Sequence, residues 1–562
     1  MNVSSHRIKL RPLAAAVAAA ASLACLVAHS AHAALAPQAP QAQLADGIVE
    51  GVKMRGPLKD VRVFRGIPYA APPVDDFRFR EPQSVARWSG VRNAKQFGPR
   101  CMQANVAGKP DFRSTTMSED CLYLNVWTPA SHPASKLPVL VFFHGGGFVS
   151  GDGSEPRYDG ANLASRGIIA VTVNYRLGVF GFLAPAGAAG ESSHGTAGNY
   201  GLLDQVAALR WVRDNIAQFG GDPSQVTIAG SSAGSVSVSA HMSSPLSRGL
   251  FARAIGQSGA AFAPNAVWSK EESERAAAEF AGRVGAASLQ QLRSLPARAL
   301  LDAAAQPLRS EQPMLLRPSV DGYFLTESPE QVFARGGQAQ VPLMLGSNEP
   351  EHASAEPTKH SGMMTLRERL SKFRDQVDER LAHYPGVENV AQSTRRWMDL
   401  HRQTGQAAIY YYRYTQPLPS EIETPTAAVK PNTIAEPPVL GAAQDAQASY
   451  SLGNLGTQRR YAWTAADYDV SRIFSRYTEQ FVKTGNPNGA APVGAGATTE
   501  ANAPRYTGSV PEWPALRVES QGVLRQVIGE NTQSVWDRNE PRQPSDGPLA
   551  EQAQQAEAPV AR

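Results

Sequence analysis

Residues Phe219 to Gly234 read FGGDPSQVTIAGSSAG, and no other stretch narrows the possible folds as far. A β-branched run, Val226-Thr-Ile228, leads into Gly230-Ser231-Ser232-Ala233-Gly234, and a segment of small residues from Ser235 to Ala240 follows. The order is strand, sharp turn, helix. Glycines on both sides let strand and helix approach closely while the central serine, held in a strained turn, keeps its hydroxyl exposed. Ser232 is therefore a candidate nucleophile. In a chain with 48 glycines the Gly-x-Ser-x-Gly pattern alone competes with an ordinary Gly/Ser turn. The strand before it and the helix after it give it weight.

At 562 residues and 42% hydrophobic content the chain can bury a large core. Its formal charge of +4 is small for this length, and no basic tract alternates with aromatics, so no nucleic-acid partner is implied. His6, Arg7, Lys9 and Arg11 precede an alanine-rich apolar stretch from Leu13 to Ala28, then Ala31-His-Ala33. This is the pattern of a secretory signal peptide over residues 1–33, and it implies export to the periplasm or the exterior. The apolar stretch is short for a membrane anchor, and no later one is long and apolar enough to span a bilayer. A lipoprotein reading through Cys25 fits poorly, because Ser22 stands where an aliphatic residue is expected. Two cysteines remain after the signal, Cys101 and Cys121. In an oxidising compartment one disulfide is the simplest outcome, with two buried thiols as the alternative. There is no Cys-x-x-Cys and no histidine cluster at ligand spacing, so neither a metal nor a cofactor is implied.

Along the chain, residues 34–46 form a Pro/Gln/Ala leader expected to be flexible. Val and Ile with Gly and Pro punctuation predict short strands between Gly47 and Pro68, and Phe64 to Pro73 is turn-rich. Strands are predicted at Cys121 to Trp127, Leu137 to Phe143 and Ile168 to Asn174; the second is nearly all apolar, as a central strand covered on both faces should be. Leu202 to Phe219 has helical spacing. Further strands fall at Val341 to Leu345 and Ala408 to Tyr414. Strands alternating with helices predict an α/β fold with a mostly parallel sheet. Gly489 to Pro504 reads as a loop and residues 545–562 as a disordered tail.

After the central strand comes His144-Gly145-Gly146-Gly147-Phe148. Acyl transfer through a serine needs donors aimed at the oxygen that becomes negative, and glycine N–H groups allow close approach. Gly146 and Gly147 would supply two such donors and Ala233, next to the nucleophile, the third. A phosphate loop would need Gly-Lys-Ser/Thr or a Rossmann spacing, and neither occurs. His144 reads as a structural histidine at a strand end.

The chain resembles the type B carboxylesterases, the family that includes bacterial para-nitrobenzyl esterases and cholinesterases. Glu119-Asp-Cys-Leu-Tyr-Leu-Asn-Val-Trp-Thr-Pro129 is similar to one family signature and Phe219 to Gly234 to the other. Trp88 to Arg92, Asn174 to Gly178, Gly198 to Gln205, Pro245 to Phe251 and Lys483 to Pro487 also resemble family blocks. The resemblance implies an α/β-hydrolase fold, a mostly parallel central sheet flanked by helices with insertions forming the upper pocket, in one domain over residues 47–544. It also implies a small-molecule carboxylic ester as substrate and a disulfide between cysteines at the positions of Cys101 and Cys121.

The family's mechanism uses serine, a glutamate that orients a histidine, and that histidine as base. Pro342 to His352 follows a predicted strand, and Glu351 aligns with the acid; Glu349, its rival, falls short by spacing. The base is where the chain departs. Family members carry Gly-Ala-x-His-x-x-Glu before a Tyr and a Gly-Asn-Leu, whereas this chain has Gly441-Ala-Ala-Gln-Asp-Ala-Gln447 before Tyr450 and Gly453-Asn-Leu455. Gln444 stands at the histidine position, Gln447 replaces the acidic residue, and no histidine follows His401. A carboxamide can orient a hydroxyl but has no pKa near neutrality with which to take its proton. Three readings follow: an esterase with another histidine as base, His352 being the nearest to Glu351 in sequence; a protein that kept fold and pocket but binds or scavenges esters; or a sequence-level variant of an ordinary esterase. Ser231 is a further departure, at a position that is glutamate in many relatives. Phe148, Phe180, Tyr200 and Phe262 are possible acyl-pocket aromatics, with core packing as the competing role.

Overall fold

The computed structural model describes residues 39–103, 111–305, 316–348, 387–420, 422, 446–489, 510–516, 518–519 and 522–537. Contacts within the chain separate a unit ending at Pro40 from a unit running from Gln41 to Arg562, and the architecture below is that of the second. The signal-peptide reading over residues 1–33 and the tail from 545 lie outside the described residues.

Twelve described strands form one twisted mixed sheet. In chain order they are β1 (Val52–Lys53), β2 (Arg62–Pro68), β3 (Tyr123–Thr128), β4 (Leu137–Phe143), β5 (Ile169–Val173), β6 (Gly221–Ser231), β7 (Arg253–Gln257), β8 (Leu343–Asn348), β9 (Ile409–Tyr414), β10 (Val518–Glu519), β11 (Gly522–Ile528) and β12 (Gln533–Asp537). In space the order is β10-β11-β9-β8-β7-β6-β4-β5-β3-β2-β1, with β12 against β11. From β5 across to β11 every pairing is parallel, and both margins are antiparallel.

Alternation along β4 shows why this sheet needs cover on both sides. Val139, Val141 and Phe143 enter one core with Val226, Ile228, Ile169 and Leu343, whereas Leu140 and Phe142 enter another with Ala229, Ile255, Met344 and Tyr412. A strand apolar at both phases of its two-residue period is stable only between two layers. The first face is covered by α1 (Tyr200–Asn215), α2 (Ala233–Ser243) and α3 (Val387–Thr404), through Leu202, Val206, Leu209, Val238, Trp397 and others. The second is covered by α4 (Ala446–Ser451) and α5 (Ala465–Thr484), through Tyr450, Phe474, Tyr477 and Phe481. No described helix is long and apolar enough to cross a membrane.

The leader expected to be flexible through residue 46 is ordered over its last residues. Gln41–Gln43 pairs antiparallel with Ile48–Glu50, and Ala42 and Leu44 are buried in the first core. Its polar composition conceals a period-two alternation that turns Ala42 and Leu44 inward, and Leu44 N–H donates to Gly47 O at 2.9 Å to close the hairpin.

Candidate active site

β6 delivers its last residue, Ser231, into the core, and α2 begins at Ala233; Ser232 between them has φ 56° and ψ −121°. An L-residue in this region costs roughly 1–3 kcal/mol and persists only where its surroundings fix it. Here they do so through backbone. Ser232 N–H donates to Gln257 O on β7 at 2.8 Å, and Val236 N–H donates to Ser232 O at 3.0 Å. A Cβ on Gly234 would lie 2.1 Å from Phe143 O at the end of β4, and one on Gly230 would lie 2.3 Å from Gly234 O. Only glycine permits strand and helix to close to this distance.

The glycine loop that follows β4 folds against this turn. A Cβ on Gly145 would stand 2.7 Å from Ser231 O and 3.1 Å from Ser232 Cβ, so the loop backbone passes directly beside the candidate nucleophile. Gly146 and Gly147 have φ 109° and 63°, and Val149 and Ser150 N–H both donate to Gly146 O at 3.0 Å, turning the chain sharply back. His144 is buried as expected of a structural residue. Its Nδ1 pairs with Gly145 O at 2.8 Å, its ring stacks on Tyr175 with centroids 4.4 Å apart, and burial lowers its pKa to about 4.

Behind the turn, Ser231, Gln257, Gly346 and Tyr412 are register partners across β6, β7, β8 and β9. This polar row lies against α4. Gln257 Nε2 donates to Ser451 Oγ at 2.8 Å, Tyr412 O–H donates to Gln447 Oε1 at 2.6 Å, and Gln447 Nε2 donates to Ser258 Oγ. Ser258 Oγ also accepts from Asn348 N–H at 3.3 Å. Ser231 Oγ and Gln257 Oε1 are buried with no hydrogen-bond partner among the described residues. Glu349, Glu351, His352 and Gln444 lie outside the described residues. Asn348, the last described residue before Glu349, and Gln447, three residues beyond Gln444, converge on one hydroxyl, that of Ser258, which the sequence alone did not single out.

Five described histidines are His132, His144, His194, His241 and His401. The hydrogen bonds of the buried ones are directed away from Ser232: His144 to Gly145, His241 to Gln205 and Ser247, His401 to Gln338. The four aromatics weighed as pocket residues are buried in the first core. Phe148 packs on Phe182, Phe180 lies under the Arg78 guanidinium, Tyr200 under that of Arg176, and Phe262 against Phe333 and Trp397. Cys101 and Cys121 form a disulfide.

A model of the carboxylesterase family matches residues 38–394 and 359–541. The chain is 40% identical over 309 residues to the fumonisin B1 esterase of Sphingopyxis macrogoltabida, covering 54% of this chain and 55% of that protein. It is 40% identical over 313 residues to the para-nitrobenzyl esterase of Bacillus subtilis (strain 168), covering 54% of this chain and 61% of that protein. These matches thus span between half and two thirds of the relatives' own length. A solved structure of a PNB esterase superposes with a TM-score of 0.66 at 30% identity, covering 92% of this chain and 99% of that one.

Proposed function

The chain belongs to the carboxylesterase family and has the α/β-hydrolase fold, and from that premise we propose that it is an exported serine-type carboxylic-ester hydrolase whose turnover is held low by Gln444. The observation that carries this reading is the geometry of the turn at Ser232, in a conformation no L-residue adopts without cause, with the glycine loop alongside it.

In this reading Ser232 Oγ attacks the carbonyl carbon of a small carboxylic ester. The developing oxyanion is met by the N–H groups of Gly146, Gly147 and Ala233, the last at the N-terminal end of α2, where the helix dipole adds to the stabilisation. The alcohol leaves, and water hydrolyses the acyl-enzyme. Glu351 is the acid of the triad. Proton removal from Ser232 is the impaired step, because Gln444 offers an amide where a neutral imidazole is needed. Removing the base of a serine triad costs on the order of 10⁶ in turnover, while oxyanion stabilisation and binding retain roughly 10³ to 10⁴ over water. Slow hydrolysis of activated esters therefore remains accessible. The signal-like N-terminus and the Cys101–Cys121 disulfide both support export.

The test compares para-nitrophenyl acetate hydrolysis by the natural protein, Gln444→His and Ser232→Ala. Gln444→His should raise kcat/KM at least about 10³-fold, and Ser232→Ala in that background should abolish the gain. A Gln444→His protein no faster than the natural one refutes the assignment of Gln444 to the base position. Rapid fluorophosphonate labelling of the unsubstituted protein at Ser232 overturns the impairment instead and points to a relocated base, for which His352→Ala is the direct check. Ester binding without turnover in either protein identifies a binder or scavenger.

A further inference from the structure

His241 is a buried histidine that the proposed reaction does not use, and it touches both walls of the site. It sits on α2, two turns beyond Ala233. Its ring stacks on Phe143, the last residue of β4, with centroids 5.2 Å apart and planes at 27°. Phe324 closes the other edge of the ring at 5.4 Å. From Phe143 the chain continues directly into His144 and the glycine loop.

The polar atoms of His241 belong to a chain of four hydrogen bonds. His241 Nδ1 lies 2.7 Å from Ser247 Oγ and Nε2 lies 2.9 Å from Gln205 Oε1. Gln205 Nε2 donates to Ser237 Oγ at 3.1 Å, and Ser237 Oγ donates to Ala233 O at 3.1 Å. All four side chains are at most 1% exposed. Burial lowers the His241 pKa to about 3, so the ring is neutral, with one nitrogen donating and the other accepting. One direction satisfies every contact: Ser247 O–H to Nδ1, Nε2–H to Gln205 Oε1, Gln205 N–H to Ser237 Oγ, Ser237 O–H to Ala233 O. Run the other way, Ser237 would give its proton to Gln205 and lose its side-chain bond to Ala233 O, which would keep only its helical backbone donor. Bonds aligned in one direction polarise one another.

We propose that His241 is a positioning residue for the oxyanion hole: stacked on the root of the glycine loop and bonded through Gln205 and Ser237 to the first turn of α2, it holds the Gly146–Gly147 donors and the Ala233 donor in register. The inference rests on the serine-hydrolase reading and adds a group to it. Ala233 O is the anchor point because it is the first carbonyl of α2, one residue beyond Ser232. Gly234, the next residue, leaves no room for a Cβ against Phe143 O. A shift of α2 along β4 therefore moves Ala233 N–H relative to the loop.

The test uses the full chain, natural and in the Gln444→His background, with fluorophosphonate labelling of Ser232 followed by intact mass. Ser237→Ala removes the last hydroxyl of the chain without removing packing volume beyond one oxygen; His241→Phe keeps an aromatic ring against Phe143 and breaks the chain at its centre. Each should lower the limiting labelling rate about fivefold to tenfold, with the half-saturating probe concentration unchanged, and the double variant should fall no further than the stronger single one. Independently, ¹⁵N shifts of the His241 ring should report a neutral ring protonated at Nε2. Unchanged limiting rates in Ser237→Ala, additive losses in the double variant, or a ring protonated at Nδ1 overturn the proposal; the ring measurement and Ser237→Ala decide it even if His241→Phe does not fold. Should neither the natural nor the Gln444→His protein label at Ser232, the hydrolase reading itself fails and this inference with it, an outcome distinct from normal labelling in both backgrounds that Ser237→Ala leaves unaltered.

Discussion

Three histidines are held neutral by burial, and this sets how the fold responds to acid. Burial lowers His144 and His401 to about 4 and His241 to about 3. In the unfolded chain each would titrate near 6.5, so below that pH the unfolded state binds protons that the folded state refuses. The stability these groups contribute is complete above pH 6.5 and is lost as pH falls toward 4. Each steepens the loss by up to about 1.4 kcal/mol per pH unit. Asp152 and Asp321, whose carboxyls burial raises, act in the opposite sense and temper the slope at the acid end of that window. Denaturant unfolding at pH 6.5, 6.0, 5.5 and 5.0 should show a progressive fall in unfolding free energy. A flat profile would mean that these rings are hydrated in the folded protein. At this scale the sequence pointed to the turn at Ser232 and to the glycine loop beside it as candidates, because acyl transfer would demand particular residue types at short fixed spacing. It did not expose Ser258, Gln257 or His241, whose side chains are tied to Gln447, Ser451 and Gln205, 189, 194 and 36 residues away in the chain, and such distant pairs leave no local pattern.

Between elements, the most demanding contact joins the end of β5 to α1. Arg176 Nε and Nη2 donate to the two Asp204 carboxylate oxygens at 2.8 and 2.7 Å, Arg176 N–H donates to Asp204 Oδ2 at 3.0 Å, and Nη1 donates to Arg80 O at 2.7 Å. Both side chains are buried. Asp204→Ala would leave an unpaired guanidinium inside the fold, and unfolding experiments should register a loss of about 3–5 kcal/mol. A loss below 1 kcal/mol would mean that water reaches Arg176. Strands buried on both faces were legible where their apolar run was unbroken: Leu137 to Phe143 is β4 to the residue. β7 was not, although it lies beside β6 at the centre of the sheet. Its sequence, Arg-Ala-Ile-Gly-Gln, is interrupted by Gly256, where a Cβ would meet the Trp397 ring at 2.3 Å, and ends in the buried Gln257. Tertiary demands had replaced the apolar residues by which a strand is recognised. The strands β10, β11 and β12 at that margin of the sheet also escaped, β10 being only two residues long.

For the molecule as a whole, among the described residues the sheet lies between two large cores, with a smaller cluster around Trp127 beside them, and the disulfide secures the first core, where Cys101 and Cys121 are both buried. Closing a loop of 20 residues limits the unfolded chain, and replacing both cysteines by serine should cost about 3 kcal/mol, read as a lower midpoint in denaturant with unchanged slope. An unaltered midpoint would show the loop to be held by packing alone. The fold class followed from alternating strand and helix signals, whereas the depth of the second core did not. It is built from Tyr410, Tyr412, Tyr414, Tyr450, Tyr477 and Trp513, aromatics from separate segments that meet only across the sheet. The turn at Ser232 belongs to this architecture more than to any reaction. Its contacts with Gln257 O, Phe143 O and Ser231 O are made by backbone and by the absence of side chains, in a region every folded copy must assemble. Folding alone thus fixes the posture of the serine. On the reading proposed above, Gln444→His would supply a base to a serine whose posture the fold already fixes.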